Sequence, residues 1–512
     1  WQYQHLRDGR VPADVPLTRS NQGEFRDLQG FVDGFLASYQ LSLDPKGRVP
    51  GEPLSPPFGP SSLHRNYRFN DMAGFFQDAW KISPRLTLSP GLRYEYFGAG
   101  HRTGHERPLD ASFYYGQGNS VYQRIANGRL LRTTEAPREY RNHYFLPRHH
   151  NFAPRLGLAY GVSASGKTVL RLGGGLFFER LPGFAFENAN PPAFSVARLS
   201  AVSLTPELFI DPYSVFPQTT MPVPPSVVTH FDQDLKTAYV GQWNATLEQE
   251  LVRGLVVSGA YLGSKGNKLY RLLNVNRIGS GAFDGRPGER LFNSASSFTT
   301  ISNQASSSFH ALQLKMESPG IRSVGLQFGA NYTWSHSIDS ASALLGDDVS
   351  ASPFPLDAFN PDLDKGASDY DVRHRMVGYF VWQLPFGSTS RLSRWQLLSG
   401  WEITGIVSFQ AGQPFNLRDS RVADRDLADN TRPRVTGPLP GALRGSNLLA
   451  DARRPNAFLI LPLNTVRRPD GSCLEGAAPF GCQVSVNGPF QGSLGRNVFR
   501  GPGTHFQNLA FL

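Results

Sequence analysis

An all-β, antiparallel fold built on one large sheet is what this sequence predicts, and three observations carry the expectation. Segments of about ten residues alternate apolar and polar side chains with period two, which sends the two kinds to opposite faces of a pleated strand. Glycine (52) and proline (39) are frequent without any triplet period, so turns are many and long helices few. The connections between alternating segments are short and long in strict turn, and antiparallel strands then gather every long one at the same end.

The segments follow in chain order. Phe69 to Trp80 is the first, with weaker alternation, and a tight Lys81-Ile82-Ser83-Pro84-Arg85 turn leads into Leu86 to Tyr96. There Leu86, Leu88, Pro90, Leu92, Tyr94 and Tyr96 share one face, and Thr87, Ser89, Gly91, Arg93 and Glu95 the other. Phe152 to Tyr160 and Thr168 to Phe178 form the next pair, then Tyr239 to Leu247 and Leu255 to Leu262, then Leu312 to Met316 and Val324 to Trp334. The last is the cleanest: Val324, Leu326, Phe328, Ala330, Tyr332 and Trp334 against Gly325, Gln327, Gly329, Asn331 and Thr333. Met376 to Phe386, Trp401 to Phe409 and a segment from Phe506 complete about eleven strands, most near the length at which a tilted strand crosses hydrocarbon.

Long connections run from Phe97 to Phe152, Phe178 to Tyr239, Leu262 to Leu312, Trp334 to Met376 and Phe409 to Phe506, each preceded by a short one and the first four also followed by one. A soluble sandwich or propeller has no need of that rule. The expected fold is therefore a partial transmembrane outer-membrane β-barrel with long extracellular loops and short periplasmic turns, in the cell outer membrane of a Gram-negative bacterium. Aromatics that close the apolar faces, such as Tyr94, Tyr96, Phe97, Tyr332 and Trp334, fit girdles at the two membrane interfaces.

Composition removes other classes. Over 512 residues, 40% are apolar and 18% charged, which excludes a disordered chain. Mean hydropathy is -0.32 and no run approaches the roughly 18 apolar residues of a spanning helix, so a helical membrane protein is excluded. The net charge of +10 is scattered and forms no basic arm, so nucleic acid is not an expected partner, and the charge fits anionic lipid head groups and an anionic ligand equally well. The two cysteines, Cys473 and Cys482, stand in a Gly/Pro-rich stretch and suit one local disulfide in an oxidising compartment.

Motifs with a chemical look reduce to structure. Gly161-Val162-Ser163-Ala164-Ser165-Gly166-Lys167-Thr168 matches a phosphate loop, but the mechanism needs a helix next, and Val169-Leu170-Arg171-Leu172-Gly173-Gly174-Gly175 alternates as a strand. A hairpin turn is expected. His143, His149 and His150 lack a carboxylate or thiolate at ligand spacing, and Asp371 to Arg375 reads as charged residues where a strand meets the membrane boundary. No nucleophile elbow, paired-carboxylate motif or zinc-protease helix occurs, so no catalysis, metal or cofactor is expected. Polar positions facing a lumen are Arg93, Glu95, Arg171, Glu179, Gln327, Asn331 and Glu402.

With the strands placed, the run Phe75-Phe76-Gln77-Asp78-Ala79-Trp80-Lys81-Ile82-Ser83-Pro84-Arg85-Leu86, continued by Gly91-Leu92-Arg93-Tyr94-Glu95, resembles the strand-turn-strand signature of TonB-dependent outer-membrane receptors. Asn151-Phe152-Ala153-Pro154-Arg155-Leu156-Gly157, Asp371-Val372-Arg373-His374-Arg375, Gln410-Ala411-Gly412-Gln413-Pro414-Phe415 and Gly495-Arg496-Asn497 look like the Oar-like subgroup, whose members usually carry a carboxypeptidase-regulatory-like domain. The resemblance covers the chain from about Asn66 onward.

The resemblance implies a receptor that binds a ligand with external loops and passes it through a plugged lumen, energised through the TonB complex acting on the plug. Outer-membrane lipid and lipopolysaccharide would surround it. Ligands of such receptors include iron chelates, cobalamin and glycans, on which Phe113, Tyr114 and Tyr115 could stack. Residues 1–66 are expected to be the remnant of an extracellular loop, with a short amphipathic helix through Phe31, Phe35, Leu36 and Tyr39. Residues 67–512 are expected to be barrel, with 412–505 a long loop and plug and signal peptide absent, so the chain reads as a fragment. A passive channel or adhesin on the same barrel and a secreted soluble all-β binding protein are the alternatives.

Overall fold

The computed structural model describes residues 2–10, 21–42, 65–103, 111–183, 196–213, 226–276, 289–343, 354–384, 400–416 and 494–511, apart from short gaps, with a few isolated positions besides. One sheet of sixteen strands dominates, and twelve of these form its main path in simple chain order. They are β1 (Gln2–Arg10), β2 (Arg65–Gln77), β3 (Leu86–Phe97), β4 (Arg148–Gly161), β5 (Thr168–Glu179) and β6 (Ala238–Val252). β7 (Leu255–Asn274), β8 (Ala295–Ile321), β9 (Leu326–Asp339), β10 (His374–Gln383), β11 (Glu402–Gln410) and β12 (Thr504–Phe511) complete the path. Each pairs antiparallel with the next, so the sheet is the up-and-down meander of an outer-membrane barrel. Among the described residues no ladder joins β1 to β12.

The register keeps the two faces apart across ten strands. Leu86, Tyr160, Leu170, Leu247, Gly259, Leu314, Tyr332, Met376, Phe409 and His505 are successive partners from β3 to β12. One residue along, the row reads Thr87, Ala159, Arg171, Thr246, Ala260, Gln313, Thr333, Arg375, Gln410 and Thr504. A slip of one residue on any strand would have mixed the rows, because side chains alternate with a period of two. The apolar row has no protein cover: Leu314 is 47% and Leu247 49% exposed, as lipid-facing side chains must be.

Short connections at 78–85, 162–167, 253–254, 322–325 and 384–401 alternate with long ones at 11–64, 98–147, 180–237, 275–294, 340–373 and 411–503. The phosphate-loop-like segment is a hairpin turn: Gly166, at φ +71°, donates its N–H to the Ser163 carbonyl at 3.2 Å, and Val162 N–H bonds Thr168 O at 2.9 Å. The left-handed φ is the conformation glycine adopts without a Cβ penalty.

Three features depart from expectation. Residues 2–10 pair with Arg65 to Ala73 as the outermost strand of the path, so they belong to the sheet and not to a loop. The run Phe31, Phe35, Leu36, Tyr39 is not one helix: a short helix, Leu28–Val32, stops before Gly34 at φ +66°, and Phe35–Ser42 is a strand paired with Val196–Ser203. The connection expected between Leu262 and Leu312 is largely strand, since β7 and β8 pair onward to Asn274 and Thr299. That extension carries no apolar alternation because above the hydrocarbon neither face meets lipid. Cys473 and Cys482 lie outside the described residues.

The enclosed core sits at the long-connection end. One cluster packs Phe113, Leu130, Leu273, Leu291 and Phe298; a second packs Tyr67, Phe69, Tyr144, Phe186, Phe231 and Ile301. Ser226–Phe231 runs parallel to Ala295–Ile301 there, widening the extended part of β8. Where water replaces lipid the hydrophobic effect returns, and the connections bury their aromatics against each other.

Candidate functional site

The seven residues expected on the polar face share the face of the Arg171 row by strand parity and register. The charged ones mostly find partners on the same or a neighbouring strand. Arg93 Nε donates to Glu95 Oε1 at 2.8 Å, Arg171 Nη1 to Glu248 Oε2 at 2.7 Å, and Gln383 Nε2 reaches Glu402 at 3.5 Å. Lys315 Nζ lies 2.6 Å from Glu317, which also accepts the Tyr379 hydroxyl at 3.2 Å. Glu179 takes part through its carbonyl, which accepts from Tyr270 Oη at 3.3 Å, while Gln327 and Asn331 stand exposed. A hollow of about 370 Å³ opens on this face between Arg155, Phe177, Gln242, Asn244, Leu262 and Phe309, with the Arg155 guanidinium 4.6 Å above the Phe177 ring.

Phe113 and Tyr114 are enclosed. The Phe113 ring lies 4.4 Å from Phe298 and 5.3 Å from Phe292, and Tyr114 donates its hydroxyl to the His143 carbonyl at 3.4 Å. Tyr115 is half-buried, with Arg124 4.9 Å above its ring and its hydroxyl 3.3 Å from Asp232. Burial first, then the Asp232 carboxylate, pushes that hydroxyl up. A ligand stacking on Phe113 would have to open this packing.

Against the first cluster, with its ring 5.2 Å from Phe113 and 4.4 Å from Phe298, His230 is fully buried. Its Nδ1–H donates to the Phe231 carbonyl at 2.9 Å, so Nε2 accepts from the Thr300 hydroxyl at 2.9 Å. Burial pulls the imidazole down to about 3 against 6.5 for a solvated one. The unfolded chain therefore takes up a proton below pH 6.5 that the folded chain refuses, and stability falls from there until pH 3, by about 1.4 kcal/mol per pH unit. Hydrogen exchange around Phe231 and Thr300, corrected for its intrinsic pH dependence, is expected to show this local stability falling between pH 6 and pH 4, and His230→Phe to flatten that fall.

Sequence reasoning missed the carboxylate and guanidinium straps that tie the long connections to β7 and β9. Asp371, 1% exposed, accepts from Ser337 N at 2.7 Å, His336 Nδ1 at 3.2 Å, Arg373 Nε at 3.1 Å and Arg500 Nη2. Burial alone would raise this carboxyl, but the donors outweigh it and hold it below the usual range. Arg496 bonds Asp339, Asp369 at 3.3 Å and Ser342 Oγ at 2.6 Å; Asp364 receives Arg271 at 3.2 Å and Leu356 N at 3.0 Å, with Arg432 3.1 Å away. The members are far apart in sequence, so only the motif around Asp371 and the Arg496-Asn497 pair were visible beforehand. Among the described residues no group of His, Cys, Asp or Glu is arranged to hold a metal ion. The straps are a scaffold for loops, and the polar face and hollow are surfaces for contact.

A family model described as outer membrane beta barrel domain matches residues 51–511. Solved structures similar to the chain include the alcaligin outer-membrane receptor FauA of Bordetella pertussis (12% identity, TM-score 0.32, covering 68% of this chain and 38% of that one). Others are the outer-membrane transporter YddB of Escherichia coli (13%, 0.35, 77% and 50%) and a variant of the ferric enterobactin receptor PfeA of Pseudomonas aeruginosa (12%, 0.37, 75% and 38%). The chain spans between 38% and 50% of the length of these three. No curated protein matches it.

Proposed function

Because this chain belongs to the outer membrane beta barrel domain family, we propose that it is the barrel of a TonB-dependent receptor, which binds a ligand with its long connections and admits it past a plug seated in the lumen. The protein resides in the outer membrane of a Gram-negative bacterium. The observation that carries the reading is the unbroken separation of faces from β3 to β12: lipid meets the Leu314 row, and the Arg171 row with its paired ions and hollow faces inward toward plug and solute. The resemblance of the Phe75 to Glu95 wording to TonB-dependent receptors, and of the Asp371 and Arg496 motifs to the Oar-like subgroup, supports the finer assignment. The long connections then lie outside the cell, and the 78–85 and 162–167 turns in the periplasm.

Two measurements test this. In a background with Cys473 and Cys482 replaced by serine, a membrane-impermeant maleimide applied to intact cells should label Asn119→Cys, exposed in a long connection, and spare Ser165→Cys in a short turn. The reverse pattern would invert the orientation. A photo-crosslinking residue at Gln327 should capture a segment of the receptor's own plug, and one at Phe328 should capture lipid. Lipid capture from both positions would remove the plugged lumen.

A further inference from the structure

The apolar face carries a repeated polar device at its long-connection end. His310 stacks on Tyr261 with ring centroids 6.1 Å apart and planes at 21°, His374 on Tyr332 at 6.2 Å and 21°, and His505 on Phe409 at 6.4 Å and 23°. Both tyrosines bond their partner's Nδ1, at 2.7 Å and 2.9 Å. A tyrosine that donates there fixes the neutral imidazole with its hydrogen on Nε2, the nitrogen turned away from the pair.

The three stacks keep one height. His310 is the partner of His336, and two residues further down β9 Trp334 is the partner of His374. Two residues down β10 from His374, Met376 is the partner of Phe409, which in turn pairs with His505. Each histidine is thus two strands on and two residues lower in register. Tilted barrel strands shift by about one residue per strand, so this descent follows a level line around the wall. All three histidines are exposed on the face that meets lipid. Between the second and third lies a groove of about 440 Å³ with Met376 and Phe409 on its floor. Lys265 shares the face, two residues along β7 from Gly263, the partner of His310.

We propose that His310, His374 and His505 form a ledge for the phosphates of lipid A, the membrane anchor of lipopolysaccharide, with an acyl chain lying in the groove over Met376 and Phe409. A lipid rather than a free anion fits because two of the donors, His374 and His505, border the groove over Met376 and Phe409, on a wall that faces hydrocarbon. The net charge of +10 and Lys265 complement an anionic head group. The ledge rests on the outward placement of the long connections proposed above, since lipid A occupies the outer leaflet.

The test is native mass spectrometry of the whole receptor, extracted in detergent and titrated with diphosphorylated lipid A or with the same lipid dephosphorylated. His310→Phe, His374→Phe and His505→Phe together retain a ring in each stack and remove the donors. Binding of diphosphorylated lipid A is expected to weaken about tenfold or more, and that of the dephosphorylated lipid to stay the same. Equal loss for both lipids, or none for either, overturns the ledge, and so does displacement of lipid A by equimolar inorganic phosphate. Heat-modifiable gel mobility reports whether the triple variant folds, and His374→Phe alone keeps the measurement available if it does not. Maleimide labelling of Asn119→Cys separates a failure of orientation from a failure of the ledge.

Discussion

Replacing Asp371 with alanine is expected to release the long-connection end from the sheet, with a loss of about 3–5 kcal/mol in its local stability. The carboxylate has essentially no exposed surface and receives the Ser337 amide, His336, Arg373 and Arg500 together, so its removal takes the acceptor from a backbone N–H and the counter-charge from two partly buried guanidinium groups. Hydrogen exchange at Ser337 and proteolysis in 340–373 should both accelerate, while the membrane-embedded register from Leu326 to Tyr332 stays protected. Asp371→Asn keeps the shape and loses the charge, so it should fall between. The Asp371 contribution is complete above the ordinary carboxylate value and disappears as pH drops through the lowered native one, so the asparagine variant should be less sensitive to acid. Unchanged exchange in Asp371→Ala would mean that the strap carries no strain from the loops.

The second large effect sets neighbouring residues against each other. Leu314→Arg places a guanidinium on the lipid face in mid-strand, where such a charge costs a barrel about 2–4 kcal/mol. Gln313→Arg, one residue earlier, turns to the face that holds Arg171 and Thr333 and should stay within about 0.5 kcal/mol. Urea unfolding from bilayers measures both. Similar costs at the two sites would show that the Leu314 row meets protein or water and not hydrocarbon.

These experiments divide along the line between what was legible in the sequence and what was not. The eleven strands from Phe69 onward could be read because lipid on one side and water on the other force a period of two onto every crossing. Where that constraint ends the pattern ends with it. β7 and β8 continue to Asn274 and back from Ala295 through residues with no apolar alternation, and β1 sits in a stretch that reads as loop. The helix expected through Phe31 to Tyr39 failed for a related reason. Four aromatic and aliphatic residues at mixed spacing fit a helix face, but Gly34 in a left-handed conformation breaks the run and tertiary pairing makes Phe35 to Ser42 a strand.

The sequence by itself determined the sheet, its two faces, the ends at which long and short connections gather, and the assignment of Arg93, Glu95, Arg171, Glu179, Gln327, Asn331 and Glu402 to one side. All of these follow from local periodicity against a fixed external solvent. Only the tertiary structure decided that Phe113 and Tyr114 are enclosed, that Asp371 meets Arg500 and Asp339 meets Arg496, and that three histidines from distant strands keep one level. Those facts depend on which strands become neighbours and how far each is staggered, and stagger is set by packing and pairing across the sheet, which no single segment encodes.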